Sequence, residues 1–312
     1  MIRAQGLTKF YGPIKAIDDV TFAIEKGTIT GFLGPNGAGK STTMRILTGF
    51  SPSSSGTAKI AGFDVATDPI EVKRRVGYVP ESVPLYVEMT VRGFLRYVAD
   101  IKGLPRKQLN VEADRVMERC GLTDMAERTI RHLSKGYRQR VGLAQALVGS
   151  PPVLIFDEPT VGLDPKQIIE IRRMIQSLAD EHTVLISTHI LAEVAMLCQR
   201  VIIINRGRIV AEDSMKHLAE QGPTVSLELE VAGDPAEVTK LLERISGVQR
   251  VTHQALKGAY LVDVARDSGA RAQLGQALVE AKFGLLSLRE RARTLEDVFV
   301  EAISSDQPAQ VS

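Results

Sequence analysis

The 312-residue sequence predicts an α/β fold: a mostly parallel sheet ringed by helices, interrupted by an all-helical insert and followed by a small α+β unit. Three observations predict it. A glycine-rich loop, GFLGPNGAGKSTT, sits between an apolar strand and a helix. Further on, the apolar runs VLIFD, TVLIST and RVIIIN each follow a helical segment, an alternation that builds parallel sheets. Beyond Pro223 the order of segments becomes β-α-β-β-α-β.

Taken in order, Ile2–Leu7 and Val20–Ile24 read as short strands. Thr28–Leu33 is a more apolar strand that runs into the glycine-rich loop, and from Ser41 the run MRILTGF continues as a helix. SPSSSG is a turn, followed by a strand at AKIAGF, a helix near Ile70–Arg75 and a buried strand in RVGYVP. From Thr90 to about Arg128 the texture is helical. Phe94, Leu95, Val98 and Ile101 mark one apolar stripe, and Val111, Val116 and Met117 mark a second.

Gln221-Gly-Pro223 reads as a boundary. Past it, Val225, Leu227, Leu229 and Val231 alternate as a half-buried strand. Asp234 is placed to cap a helix with Pro235 at its first position and Glu237 in its first turn; Val238, Leu241, Leu242 and Ile245 form its apolar stripe. Strands near Val248–His253 and Tyr260–Val264, a helix carrying Leu274, Ala277, Leu278 and Ala281, and the strand Gly284–Leu288 complete a ferredoxin-like unit of roughly 65 residues. Thr294 is expected to cap a last helix with Leu295, Val298, Phe299 and Ala302 on one face, and DQPAQVS to be a frayed tail. The expected boundaries are 1–220 for the α/β domain, with its insert at about 88–150, then 224–303 for the second domain and 304–312 for the tail.

Composition narrows the function. Hydrophobic residues make up 44% and charged residues 24%, the balance of a soluble globular protein. The formal net charge of +2, without any polybasic block, gives no reason to expect nucleic acid. Cys120 and Cys198 lack metal-ligand spacing and read as buried thiols of a reducing compartment. No secretory signal is expected at MIRAQGLTKFYG. No apolar run approaches the ~20 residues that span a bilayer, so a membrane role must come through a partner.

The loop Gly34, Pro35, Asn36, Gly37, Ala38, Gly39, Lys40, Ser41 satisfies G-x-x-x-x-G-K-[ST], with Thr42 next. Its glycines let the backbone wrap so that several N–H groups point at phosphate oxygens, and the following helix adds its positive end. Lys40 would meet the β and γ phosphates and the Ser41 hydroxyl would ligate Mg²⁺. The pattern predicts nucleotide binding without choosing among nucleotide-using engines. VLIFDE ends a buried strand in two carboxylates, where open α/β sheets bind ligands. Asp157 would hold Mg²⁺ directly or through water, and Glu158 could orient the attacking water or accept its proton.

The choice of engine comes from resemblance. Leu133-Ser-Lys-Gly-Tyr-Arg-Gln-Arg140 resembles the signature motif of the ATP-binding cassette (ABC) ATPases, at that family's usual distance before VLIFDEP. Gly162-Leu-Asp164-Pro resembles its D-loop, His189 in STHIL its switch histidine, and Tyr11 in KFYG its adenine-stacking aromatic. Six landmarks in the family's order cover residues 1 to about 215. The wording LSKGYRQRVGLAQAL, with GYVPE upstream, resembles the ATP-binding subunits of ABC-2-type exporters, including gliding-motility-associated and multidrug-export-like members.

The resemblance implies a P-loop ABC-type ATPase with a mostly parallel core, an antiparallel β subdomain and a helical insert, using ATP and Mg²⁺. It implies a homodimer in which Ser134, Lys135, Gly136 and Tyr137 of one copy complete the site cradled by the other. A separate membrane permease would be driven through the Glu81 loop and the insert, with the chain on the inner face of the cell membrane. Two departures stand out. Glu81 occupies a position where the family commonly has Gln, so a carboxylate there could also ligate the metal. Lys135 and Tyr137 replace the Gly and Gln of the commonest signature wording, while Ser134 and Gly136 are retained. A non-transport ABC ATPase and a weakly hydrolysing regulatory module are the alternatives; the single cassette and short insert weigh against the first, and Glu158 with His189 against the second.

Overall fold

The first two strands are longer than expected: Ile2–Tyr11 (β1) and Ile14–Ile24 (β2) form one antiparallel hairpin, with Tyr11 opposite Ile14 across the Gly12-Pro13 turn. Polar residues in the middle of the hairpin masked it, because ladder hydrogen bonds satisfy the backbone whatever the side chains carry. The structure, a computed structural model, describes residues 1–214, 224–254, 258–266, 268–291, 296–297 and 299. The expected boundary at Gln221–Pro223 lies outside these residues, as do the tail and most of the last helix expected from Thr294.

Ile29–Leu33 (β3) is buried along its whole length and leads into Lys40–Leu47 (α1). Ser55–Ile60 (β4) and Phe63–Asp64 (β5) join the hairpin in a four-stranded antiparallel sheet of order β2-β1-β4-β5. Pro69–Arg75 (α2) then delivers the chain to Val76–Val79 (β6).

The insert follows as Val91–Ile101 (α3), Leu109–Arg119 (α4) and Lys135–Leu147 (α5). Thr90 caps α3 by accepting the Gly93 N–H, a contact of about 1 kcal/mol. Two stripe residues are misassigned by the sequence. Ile101 is 67% exposed because it ends α3 beyond the core that Phe94 and Leu95 reach. Val111 is 69% exposed because α4 buries Leu109, Ala113, Val116 and Met117. Five residues separate Val111 from Val116, which at 3.6 per turn puts them on different faces.

Val153–Asp157 (β7), Pro165–Gln176 (α6), Thr183–Thr188 (β8), Leu191–Leu197 (α7), Arg200–Asn205 (β9) and Arg208–Ser214 (β10) complete the core. The six-stranded sheet runs β10-β9-β3-β8-β7-β6, parallel except for β10. Strands β3, β7 and β8 are buried throughout, as strands covered on both faces must be; on one face the antiparallel sheet shares the cover, with Phe22 of β2 against Phe32 of β3. Cys120 and Cys198 are buried free thiols, each pushed up to about 12 by burial.

The chain divides into two compact units, the second within Met215–Ser304. There Thr224–Ala232 (β11), Val248–His253 (β12), Ala259–Ala265 (β13) and Gly284–Arg291 (β14) form an antiparallel sheet of order β12-β13-β11-β14. Helices Pro235–Glu243 and Ala270–Glu280 connect them, which is the β-α-β-β-α-β order read from the sequence. Asp234 caps the first helix, accepting from the Ala236 and Glu237 N–H groups. Leu227, Leu229, Val238, Tyr260 and Leu274 share one core. No helix among the described residues is long and apolar enough to cross a membrane.

Candidate active site

The loop between β3 and α1 folds tightly because two positions admit only glycine. A Cβ on Gly34 would stand 2.4 Å from the Ile204 carbonyl oxygen, and one on Gly39 would stand 2.6 Å from Ile17 Cγ2. Gly39 also has φ of 106°, outside what a side chain accepts. Gly39 precedes α1 without any side-chain cap, so the first N–H groups of the helix stay available to an anion. Lys40, 6% exposed, curls back and donates to the Gly34 carbonyl (2.8 Å) and the Pro35 carbonyl (3.1 Å).

This loop forms one wall of a cavity of about 430 Å³. Asn36, Gly37, Gly39, Lys40, Ser41 and Thr42 line that wall, with Ala16 of β2 beside them. Glu158, Val161 and His189 also line the cavity, and Glu81 reaches it from the segment after β6. The sequence-predicted phosphate loop, carboxylate and switch histidine are therefore brought together, with Glu81 among them.

Glu158 is the centre of the charge arrangement. Its carboxylate is 7% exposed and lies 3.5 Å from Lys40 Nζ and 2.9 Å from His189 Nδ1. Its φ of 51° is unusual for a residue other than glycine, and the Ser187 carbonyl and hydroxyl, accepting from its N–H at 3.0 and 3.2 Å, hold it there. Ser187 also donates its hydroxyl to Asp157 Oδ1. Asp157 is 2% exposed and is not part of the cavity lining. Burial, reinforced by the charge of Asp157, pushes the neighbouring Tyr78 hydroxyl up to about 12.

Ser41, Asp157 and Glu81 offer hard oxygen donors, the chemistry that suits Mg²⁺ carried by a nucleotide. Tyr11 does not line the cavity. It is 45% exposed, with Lys9 Nζ 5.3 Å from its ring centre. Gly34 and Pro35 contribute carbonyls to Lys40 rather than surface to the cavity, and Ala38 is buried behind the loop.

The signature residues are also outside the lining. Ser134 caps α5, accepting the Tyr137 N–H at 3.3 Å. Gly136 is covered by the Gln167 side chain, 2.5 Å from where a Cβ would stand. Lys135 lays its ammonium over Gly162, 2.0 Å from a Cβ position there, while Asp164 caps α6 by accepting the Gln167 N–H. The Arg140 guanidinium sits 5.8 Å from the Tyr137 ring centre. The sequence reading missed Ala16, Val161 and Ser187. No local motif marks them; only the strand register that sets Asp157 opposite Ser187 brings the last into place.

The family model described as ABC transporter matches residues 17–161. The bacitracin transport ATP-binding protein of Bacillus licheniformis is 35% identical over 97% of this chain and 97% of its own length. A daunorubicin resistance ATP-binding protein of Streptomyces coeruleorubidus is 33% identical over 98% and 96%. Among solved structures, an ATP-binding subunit of an ABC transporter superposes with a TM-score of 0.65 at 30% identity, over 71% of this chain and 92% of that one. A dimeric ATP-binding cassette in a post-hydrolysis state with ADP and Pi gives a TM-score of 0.63 at 26% identity, over 69% and 98%. With its phosphate loop, Glu158 and His189 converging on one cavity, the chain belongs to the ABC transporter family, as an ATP-binding and ATP-hydrolysing subunit.

Proposed function

We propose that two copies of this chain power an exporter, hydrolysing Mg²⁺-bound ATP beside a separate ABC-2-type permease on the inner face of the cell membrane. The observation that carries this reading is the split site: the cavity holds Lys40, Glu158 and His189, while Ser134 and Gly136 lie outside its lining. A second copy, set head to tail, supplies them. Each copy then contributes half of two equivalent sites, with residues 1–220 as the motor and 224–303 as a dimer-stabilising or regulatory unit.

In each site Tyr11 stacks the base, and the backbone N–H groups of Gly34–Thr42 hold the phosphates with Lys40. Ser41, Glu81 and, directly or through water, Asp157 would hold the metal, which would neutralise phosphate charge. Glu158 orients water in line with the γ-phosphate and accepts its proton, and His189 contacts that phosphate from the side. The partner's serine hydroxyl and glycine N–H close the far side, and the turn at Asp164 meets the neighbouring copy. Relatives named for bacitracin transport and daunorubicin resistance, similar over nearly their whole length, support export. A second cavity of about 530 Å³, lined by Arg45, Tyr78, Pro80, Ser82 and Val98, flanks the Glu81 segment and α3. It suits a helix of the permease.

Glu158→Gln tests the reading. ATP binding should persist, turnover should fall at least about tenfold and a dimer should accumulate with ATP in size-exclusion chromatography. Unchanged turnover overturns the assignment.

A further inference from the structure

Glu193 carries a buried carboxylate that the hydrolytic scheme does not use. It is 2% exposed, and a charge so enclosed persists only where each oxygen finds a partner. Both do. Oε2 accepts the hydroxyl of Thr188, itself 1% exposed, at 3.1 Å. Oε1 lies 3.5 Å from Arg172 Nη2.

These partners bracket the switch histidine. Thr188 immediately precedes His189, and its hydroxyl oxygen also accepts the Ile190 N–H at 3.0 Å, so both flanks of His189 hang on one side chain. Arg172 belongs to α6, which starts at the Asp164 cap. The same helix grips α7 twice more: Arg172 Nη1 donates to Met196 Sδ at 3.3 Å and Gln176 Nε2 to the Met196 carbonyl at 3.0 Å.

We propose that Glu193 is a positioning residue for ATP hydrolysis, fixing the turn that carries His189 through Thr188 and tying it to α6 through Arg172. This rests on His189 as the γ-phosphate contact. The negative charge matters because it holds a donor on each side; a neutral amide keeps the shape but accepts on one side only and brings no charge to the guanidinium. Displacing a reacting group by about 1 Å costs up to 10²-fold in rate.

The test is a cycle of steady-state ATPase measurements on the full chain: wild type, Glu193→Gln, His189→Ala and the double variant. Glu193→Gln should lower kcat about tenfold with KM for ATP within about twofold, and should cause no further loss in the His189→Ala background. A kcat within about twofold of wild type, or an equal loss with and without His189, overturns the proposal. A wild-type kcat for His189→Ala overturns the reading of His189, and this proposal with it. If Glu193→Gln fails to fold, Thr188→Val should show the same kcat loss and Thr188→Ser should restore it; equal rates for those two overturn the proposal.

Discussion

His189 Nδ1 stands 2.9 Å from Glu158 Oε2, although 31 residues separate them in the chain. The parallel register of β7 and β8, with Asp157 opposite Ser187, delivers both to the same end of the sheet. Lys40 Nζ joins from the loop after β3 at 3.5 Å. An ammonium and a carboxylate this enclosed act as one ionic unit, and losing one partner exposes the other to the full desolvation penalty.

Lys40→Met should therefore destabilise the chain before any nucleotide is added. Glu158 would lose its ammonium, and the Gly34 and Pro35 carbonyls would lose their donor. The expected loss is roughly 3–5 kcal/mol, read by urea denaturation without nucleotide. The variant should also lose the rise in Tm that ATP gives the wild type. A wild-type denaturation curve without nucleotide would show that the pair contributes nothing.

Two glycines of the phosphate loop should respond differently to alanine. At Gly34 the new Cβ meets backbone, the Ile204 carbonyl 2.4 Å away, and backbone cannot swing aside. Gly34→Ala should cost roughly 1–3 kcal/mol and abolish ATP binding by isothermal titration. Gly37 has open space around it, and only its φ of 79° opposes a side chain. Gly37→Ala should cost about 1 kcal/mol and leave a measurable affinity. The reverse order would refute the packing argument.

Lys102 supplies a pH-dependent test. Burial lowers its ammonium from 10.5 to about 8, against the pull of Glu112, while it donates to the Val148 carbonyl at 2.7 Å. The unfolded chain keeps this proton up to about 10.5, so below pH 8 folding carries the cost of burying the charge. As pH rises from 8 towards 10.5 the folded chain sheds the proton first, and stability rises. Lys102→Met should be the more stable protein at pH 7 by roughly 2 kcal/mol, after ~1 kcal/mol for the lost hydrogen bond. The advantage should shrink by pH 10 in guanidinium denaturation. An advantage that is flat between the two pH values would mean that Lys102 titrates normally.

The phosphate loop was legible because its residues are contiguous and their conformational needs are local: Gly34 and Gly39 announce close approach, and an apolar strand precedes them. Asp157 and Glu158 were legible as acids ending a buried run. His189 was legible only through the family's order of motifs, since a single histidine carries no signal alone; the proposed roles of Ser134 and Asp164, outside the cavity lining, rest on the same order. Ser187, Ala16 and Glu193 were not legible. Each acts through strand register or helix docking across many residues, and the sheet order β10-β9-β3-β8-β7-β6 is written in no local pattern. The first hairpin was read short for a related reason, since pairing extends strands past the apolar residues that advertise them. Ile101 and Val111 show the opposite error, apolar residues that face water because the helix buries another side.

Among the described residues, strand β6 has only β7 for a neighbour, through four paired residues, whereas β3 is anchored on both flanks. Of the parallel strands that bring side chains to the nucleotide, it is thus the cheapest to shift: a tug on it strains a single ladder and leaves the rest of the sheet at rest. Glu81 rides just beyond its end. On the proposed reading of Glu81 as a metal ligand, a carboxylate mounted on such a springboard retracts while the cradle itself stays still, and mechanical load reaches the metal site without loosening the grip on phosphate.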